Sequence, residues 1–215
     1  MSLFSKELLE KLGKNPIVAG FSVENVKDAV PIAEALLEGG IHTIELTLRT
    51  EAGLKGLEEI CKHVPEITVG VGTILTVDQL QTVSDLGADF GVAPGLNPKV
   101  IEASINANFP FAPGIMTPSE LEQAISMGCR FVKFFPAESC GGIPYLKSIS
   151  TPYNHLGIQY FPLGGVHAGN LNNYLALDAV LTVGGSWIVQ NEQVREGNFK
   201  EISSRAAEAI QAIKQ

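Results

Sequence analysis

Apolar positions fall into eight short clusters, near residues 16–21, 41–47, 67–72, 89–93, 110–113, 130–135, 158–163 and 179–184. Each has the length of a buried β-strand rather than of a helix. Between them the apolar residues take up a helical period, over only a short span near 143–150. A glycine often sits where helix gives way to strand, as in ALLEGGIHTIELTL (35–48), VSDLGADFGVAP (83–94) and AISMGCRFVKFFP (124–136). That is the place for a left-handed helix C-cap. Helix starts are marked too. TPSE (117–120) offers Thr117 as N-cap, Pro118 at the first helical position and Glu120 at the third, and TVDQ (76–79) is a second capping box. Strands alternating with helices predict a parallel sheet. Eight such units in 215 residues predict a (β/α)8 TIM barrel, with MSLFSKELLEKLGKN as an extra N-terminal helix. A doubly wound open sheet is the alternative arrangement. No Pro/Ser linker divides the chain, so residues 1–215 are expected to form a single domain.

Composition narrows the function. The chain is 45% hydrophobic and 18% charged, enough for a real core. A net charge of −8 argues against nucleic-acid binding but leaves room for a local anion site. No apolar run is long enough to span a bilayer, and the N-terminus lacks a signal-peptide core, so no membrane partner is expected. Cys61, Cys129 and Cys140 are odd in number and unpaired in spacing, as in a reduced, cytoplasmic protein. His42, His63, His155 and His167 show no metal-ligand spacing, and no metal or cofactor is expected.

Candidate chemistry lies on the strands. In IHTIELTLR, Ile44, Leu46 and Leu48 share one face, while Thr43, Glu45, Thr47 and Arg49 share the other. In a barrel the polar face points inward, with Glu45 and Arg49 toward the C-terminal mouth, where active sites of this fold lie. An interior salt bridge would also explain them. In RFVKFFPAE (130–138), Lys133 shares a face with Phe131 and Phe135. A lysine among aromatics is either paired with a carboxylate or desolvated so that its neutral amine can attack a ketone. Glu45, on another inner face, could shuttle protons for such a lysine. PLGGV (162–166) and VGGS (183–186) end the last two strands. There Gly164, Gly165, Gly184, Gly185 and Ser186 could present N–H and O–H donors to a phosphate. Thr73 ends the third strand, either as a cap or at the site rim. Pro94, in the first of two APG loops, shapes the loop and lines the site. His167 reads as a loop or helix-cap residue.

Together ELTLRT (45–50), GVGTIL (70–75), APGLNP (93–98), KFFPAE (133–138), LGGV (163–166) and VGGSW (183–187) resemble the 2-keto-3-deoxy-6-phosphogluconate (KDPG) and 4-hydroxy-2-oxoglutarate (KHG) aldolases, over about residues 15–212. This resemblance implies a metal-free class I aldolase, a homotrimer of (β/α)8 barrels. Its substrate would be a keto-acid phosphate, cleaved to pyruvate and glyceraldehyde 3-phosphate. It implies Lys133 as the Schiff-base lysine and Glu45 as the general acid/base. Arg49 and Thr73 would hold the pyruvyl carboxylate, and Pro94 and Phe135 would shape the pyruvate pocket. Gly164, Gly165 and Ser186 would belong to the phosphate site. Leu163 stands where the gluconate-type enzymes usually carry Thr, which is similar to the 6-phosphogalactonate aldolases and bears on C4 preference. His167 stands where the gluconate type often has Ser. A phosphosugar isomerase or epimerase, or a non-catalytic phosphosugar-binding barrel, are the alternatives on the same scaffold.

Overall fold

The structure, a computed structural model, describes residues 3–213. The ends of the predicted 1–215 domain, and the first two residues of the predicted N-terminal helix, lie outside the described residues. Helix α1 (Lys6–Lys14) starts where the Ser5 hydroxyl accepts the Leu8 N–H at 3.1 Å. The first four strands are β1 (Ile17–Phe21), β2 (Thr43–Thr47), β3 (Thr68–Gly72) and β4 (Phe90–Val92). They alternate with α2 (Ala29–Glu38), α3 (Gly53–His63), α4 (Val77–Asp85) and α5 (Pro98–Asn106). Both predicted capping boxes form, Thr76 with Gln79 on α4 and Thr117 with Glu120 on α6 (Pro118–Ser126).

Every strand pairing is parallel. The fifth strand departs from the sequence expectation. It is interrupted at Pro113 into β5 (Phe111–Ala112) and β6 (Gly114–Ile115), because proline has no N–H to give a ladder. A six-stranded sheet therefore runs β5-β4-β3-β2-β1-β9, and a three-stranded sheet runs β6-β7-β8. Here β7 is Phe131–Phe134, β8 is Gln159–Pro162 and β9 is Val183–Gly185. The last strand is shorter and later than the expected 179–184. Val180 closes a turn on the Leu177 carbonyl and forms a single bridge to Tyr160.

Helix α7 (Gly142–Ser150) precedes β8, and the short α8 (Leu171–Leu175) follows it. After β9 come α9 (Asn191–Arg195) and α10 (Phe199–Ala212), and α10 packs on α2.

Alternation sorts the strand side chains into two cores. Ile17, Ala19, Ile44, Leu46, Val69, Val71, Val132 and Phe134 pack beneath helices. Val18, Phe90, Val92, Ala112, Phe131, Phe161 and Leu163 meet in a second cluster between the strands. Phe4 and Leu12 close that cluster at one end, with the Phe4 ring 4.8 Å from that of Phe131. Strands covered on both faces need near-continuous apolar sequence, which is why IVAGF carries no polar side chain.

Candidate active site

Two charged residues interrupt this apolar interior. Glu45 is 2% exposed and Lys133 5%, and Lys133 Nζ donates to Glu45 Oε1 at 2.9 Å. Glu45 stands in register with Gly20 and Gly70, and Lys133 with Gly114 and Phe161. The carboxylate fits because β3 ends in glycine. A Cβ added at Gly72 would lie 2.0 Å from Glu45 Oε1. The lysine ammonium lies 5.2 Å from the centroid of the Phe135 ring. Of the two sequence readings of Lys133, the pairing with a carboxylate is the one seen, and that carboxylate belongs to Glu45, the residue read as the acid/base. A buried ion pair is a weak source of stability, because desolvation offsets most of the attraction. Its presence where apolar residues would pack as well points to chemistry.

The pair opens into a cleft of about 530 Å³. Arg49, Phe135, Leu163, Gly164, Gly185 and Ser186 line it with Glu45 and Lys133. Arg49 is exposed and forms no ion pair among the described residues, leaving its guanidinium open to an anion. Gly164 and Gly165 have φ of +92° and +89°, a backbone that favours glycine. A depression of about 580 Å³ elsewhere is bordered by Lys147, Asn154 and Asp178, and among the described residues its lining forms no buried ion pair.

Other predicted residues stand apart from the cleft wall. Thr73 and Pro94 follow β3 and β4 but do not line it. Thr73 has φ +65°, a strained conformation for a β-branched residue. Gly165 follows Gly164 in the loop and is exposed but does not line the cleft, and a Cβ there would meet Glu138 Cβ at 2.6 Å. Gly184 is buried, and a Cβ there would meet Leu163 at 2.7 Å. His167 is exposed and has a loop role: its Nδ1 accepts the Gly169 N–H at 3.0 Å.

Sequence reading missed Ser22, Gln190 and Asn191 in the cleft wall. Ser22 follows β1 as Thr73 follows β3, so the strand-end rule, applied to every strand, would have found it. Gln190 and Asn191 carry no motif. Thr47 was placed on the polar face but given no role. It lines the cleft and donates to the Phe21 carbonyl at 3.2 Å, tying β2 to β1.

Among the described residues, no group of three or more His, Cys, Asp or Glu is arranged to hold a metal ion. No described helix is long and apolar enough to cross a membrane. Burial pushes the Cys61 and Cys129 thiols up to about 11.

The family model for KDPG and KHG aldolase matches residues 8–205. The chain belongs to the KDPG and KHG aldolase family. It is 36% identical to the 2-dehydro-3-deoxy-phosphogluconate aldolase of Haemophilus influenzae over 214 residues, covering 100% of both chains. It is 39% identical to the KHG/KDPG aldolase of Escherichia coli over 203 residues, 94% of each. Among solved structures, it superposes on KDPG aldolase from Legionella pneumophila with a TM-score of 0.90 and 35% identity, covering 96% of this chain and 98% of that one. That protein holds pyruvate as a covalent carbinolamine intermediate. The neighbour is a TIM-barrel-like α/β protein, and the parallel strands and covering helices of this aldolase-family chain agree with it.

Proposed function

We propose that the protein is a class I aldolase that cleaves KDPG to pyruvate and glyceraldehyde 3-phosphate, and KHG to pyruvate and glyoxylate, through a Schiff base on Lys133. The buried 2.9 Å contact between Lys133 and Glu45 at the base of the cleft carries this reading. Glu45 takes a proton from the amine, which then adds to the C2 ketone to give a carbinolamine. Glu45 gives that proton to the departing hydroxyl, and loss of water leaves a protonated imine and an ionised Glu45. Glu45, as base, next removes the proton of the C4 hydroxyl. The C3–C4 bond breaks, its electron pair flows into the imine, and the aldehyde leaves. Glu45 returns a proton to C3 of the enamine, and water hydrolyses the resulting imine to pyruvate and free lysine. Arg49 binds the pyruvyl carboxylate through its planar fork, and Thr73, set back from the cleft wall, supports that end. Phe135 lines the pyruvate end, and Pro94, set back from the cleft wall, shapes the loop behind it. Gly164, Gly185 and Ser186 line the phosphate end, with Gly165 and Gly184 next to them in the chain, and Leu163 lies between the two ends. Because Leu163 is apolar, a preference for the C4-epimeric galactonate substrate is the second reading.

The scaffold we infer is one closed (β/α)8 barrel in a single domain. β5 and β6 are then one strand interrupted at Pro113, and the Tyr160–Val180 bridge joins β8 to the segment leading into β9. A homotrimer follows from the family resemblance, and a cytoplasmic location from three free cysteines.

The test is intact mass after incubation with pyruvate and borohydride, followed by peptide mapping. One reduced-pyruvate adduct on Lys133 is expected. Lys133→Met should abolish both adduct and turnover while remaining folded by circular dichroism. Normal turnover by that variant would overturn the assignment.

A further inference from the structure

Three consecutive carbonyls of the β8–α8 loop are engaged, two of them by the turn at 137–138. The Leu163 carbonyl accepts the Ala137 N–H at 2.7 Å, and the Gly164 carbonyl accepts the Glu138 N–H at 2.9 Å. The Gly165 carbonyl accepts Asn170 Nδ2 at 3.1 Å. Across a trans peptide the C=O of one residue and the N–H of the next point in opposite directions. The N–H groups of Gly164, Gly165 and Val166 are therefore turned away from the partners that hold those carbonyls. The 137–138 turn thus determines which way the loop donors aim. That turn is anchored by one side chain. Glu138 lies at the surface, but its Oε1 accepts a short hydrogen bond from the hydroxyl of Tyr174, a fully buried residue of α8. The stem of Glu138 presses on the loop, and a Cβ added at Gly165 would lie 2.6 Å from Glu138 Cβ. Gly142, at φ +59°, leaves space for the carboxylate, since a Cβ there would come within 3.1 Å of Oε1. Burial, and then the contact with Glu138, push the Tyr174 phenol above its usual range, so it remains a donor.

We propose that Glu138 and Tyr174 are positioning residues for the phosphate end of the substrate, locking the β8–α8 loop onto the turn that follows the Lys133 strand. This rests on the aldolase reading above. Neither residue lines the cleft, so their loss should be felt through the loop and not through the acid–base pair.

The test compares KDPG with KHG, which lacks the phosphate, in Tyr174→Phe, Glu138→Ala and Glu138→Gln. Tyr174→Phe and Glu138→Ala should raise KM for KDPG roughly tenfold, the size of losing a hydrogen bond to a charged group. Their turnover of KHG and their pyruvate–borohydride trapping should stay within about twofold of wild type, on the same estimate. Glu138→Gln, which keeps an acceptor for Tyr174, should stay near wild type on both substrates. Equal losses on KDPG and KHG would show a merely structural pair and overturn the proposal. So would unchanged KDPG kinetics in Tyr174→Phe and Glu138→Ala. If Tyr174→Phe is poorly folded, the contrast between Glu138→Ala and Glu138→Gln decides. Wild-type protein that forms no pyruvate adduct would instead overturn the aldolase reading itself.

Discussion

Gly72→Ala adds one methyl group and should disable the acid/base while leaving the lysine, the carboxylate and the fold in the chain. The new Cβ would lie 2.0 Å from Glu45 Oε1, 2.8 Å from Cδ and 2.9 Å from Cγ, whereas ordinary contact begins near 3.4 Å. Glu45 must move by more than about 1 Å, and it is enclosed, so it cannot move freely. The displacement breaks the 2.9 Å contact with Lys133. A catalytic group misplaced by about 1 Å costs about 10²-fold, and general acid–base catalysis as a whole contributes about 10²–10⁴-fold. We expect kcat to fall by about 10²–10³, equivalent to roughly 3–4 kcal/mol of barrier, with KM little changed. The matched control is Gly70→Ala, on the same strand and face, whose Cβ would meet the Phe90 ring at 2.3 Å and spare Glu45. Both variants should lose about 1–3 kcal/mol of stability through overpacking. Only Gly72→Ala should lose turnover, read as pyruvate release coupled to lactate dehydrogenase, with chemical denaturation run in parallel. A Gly72→Ala enzyme within about threefold of wild-type kcat would refute the reasoning, since a displaced base should cost about 10²-fold. So would a Gly70→Ala enzyme that lost as much activity.

Asp89→Asn should raise the melting temperature at pH 7, with the gain vanishing below about pH 4. Although Asp89 is exposed as a residue, partial desolvation of its carboxyl raises the pKa against an opposing hydrogen bond from the Val69 N–H, so the folded state favours the protonated acid. The native stability contributed by protonated Asp89 is present below the unfolded pKa and lost as pH rises through the folded one. Asn keeps the acceptor without the charge, and a pH-independent difference in melting temperature would contradict this. Leu163→Thr should shift the kcat/KM ratio toward the gluconate epimer by about three- to tenfold, the scale of one added hydroxyl contact. Leu163 is 6% exposed and lines the cleft beside Gly164, and an unchanged ratio would count against its role.

Much of this was legible because it is local. Thr117, Pro118 and Glu120 specify a helix start within four residues, and the box forms as written. The alternation in TIELT and FVKF assigns Glu45 and Lys133 to inner faces with no knowledge of partners. Their meeting was not legible from pattern alone. They are 88 residues apart, and periodicity gives a face but not the neighbour across it. The Glu138–Tyr174 bond, 36 residues apart, was hidden for the same reason. Pro113 marks the break in the fifth strand, whereas the APG pattern by itself suggests a loop following that strand. In the eighth strand, the apolar run AVLTV drew the prediction too early, since residues 177–180 form a turn instead.

The glycines show why composition alone misleads. GVG in β3 reads as a weak strand, because glycine adds no packing and costs backbone entropy. Yet Gly70 is where the Phe90 ring lies, and Gly72 is where the Glu45 carboxylate lies. The weakness of one strand is the space required by its neighbours. A strand that looks poor by propensity, beside one carrying a buried carboxylate, is therefore itself a signal for a site. Here that signal points to β3 as the neighbour of Glu45.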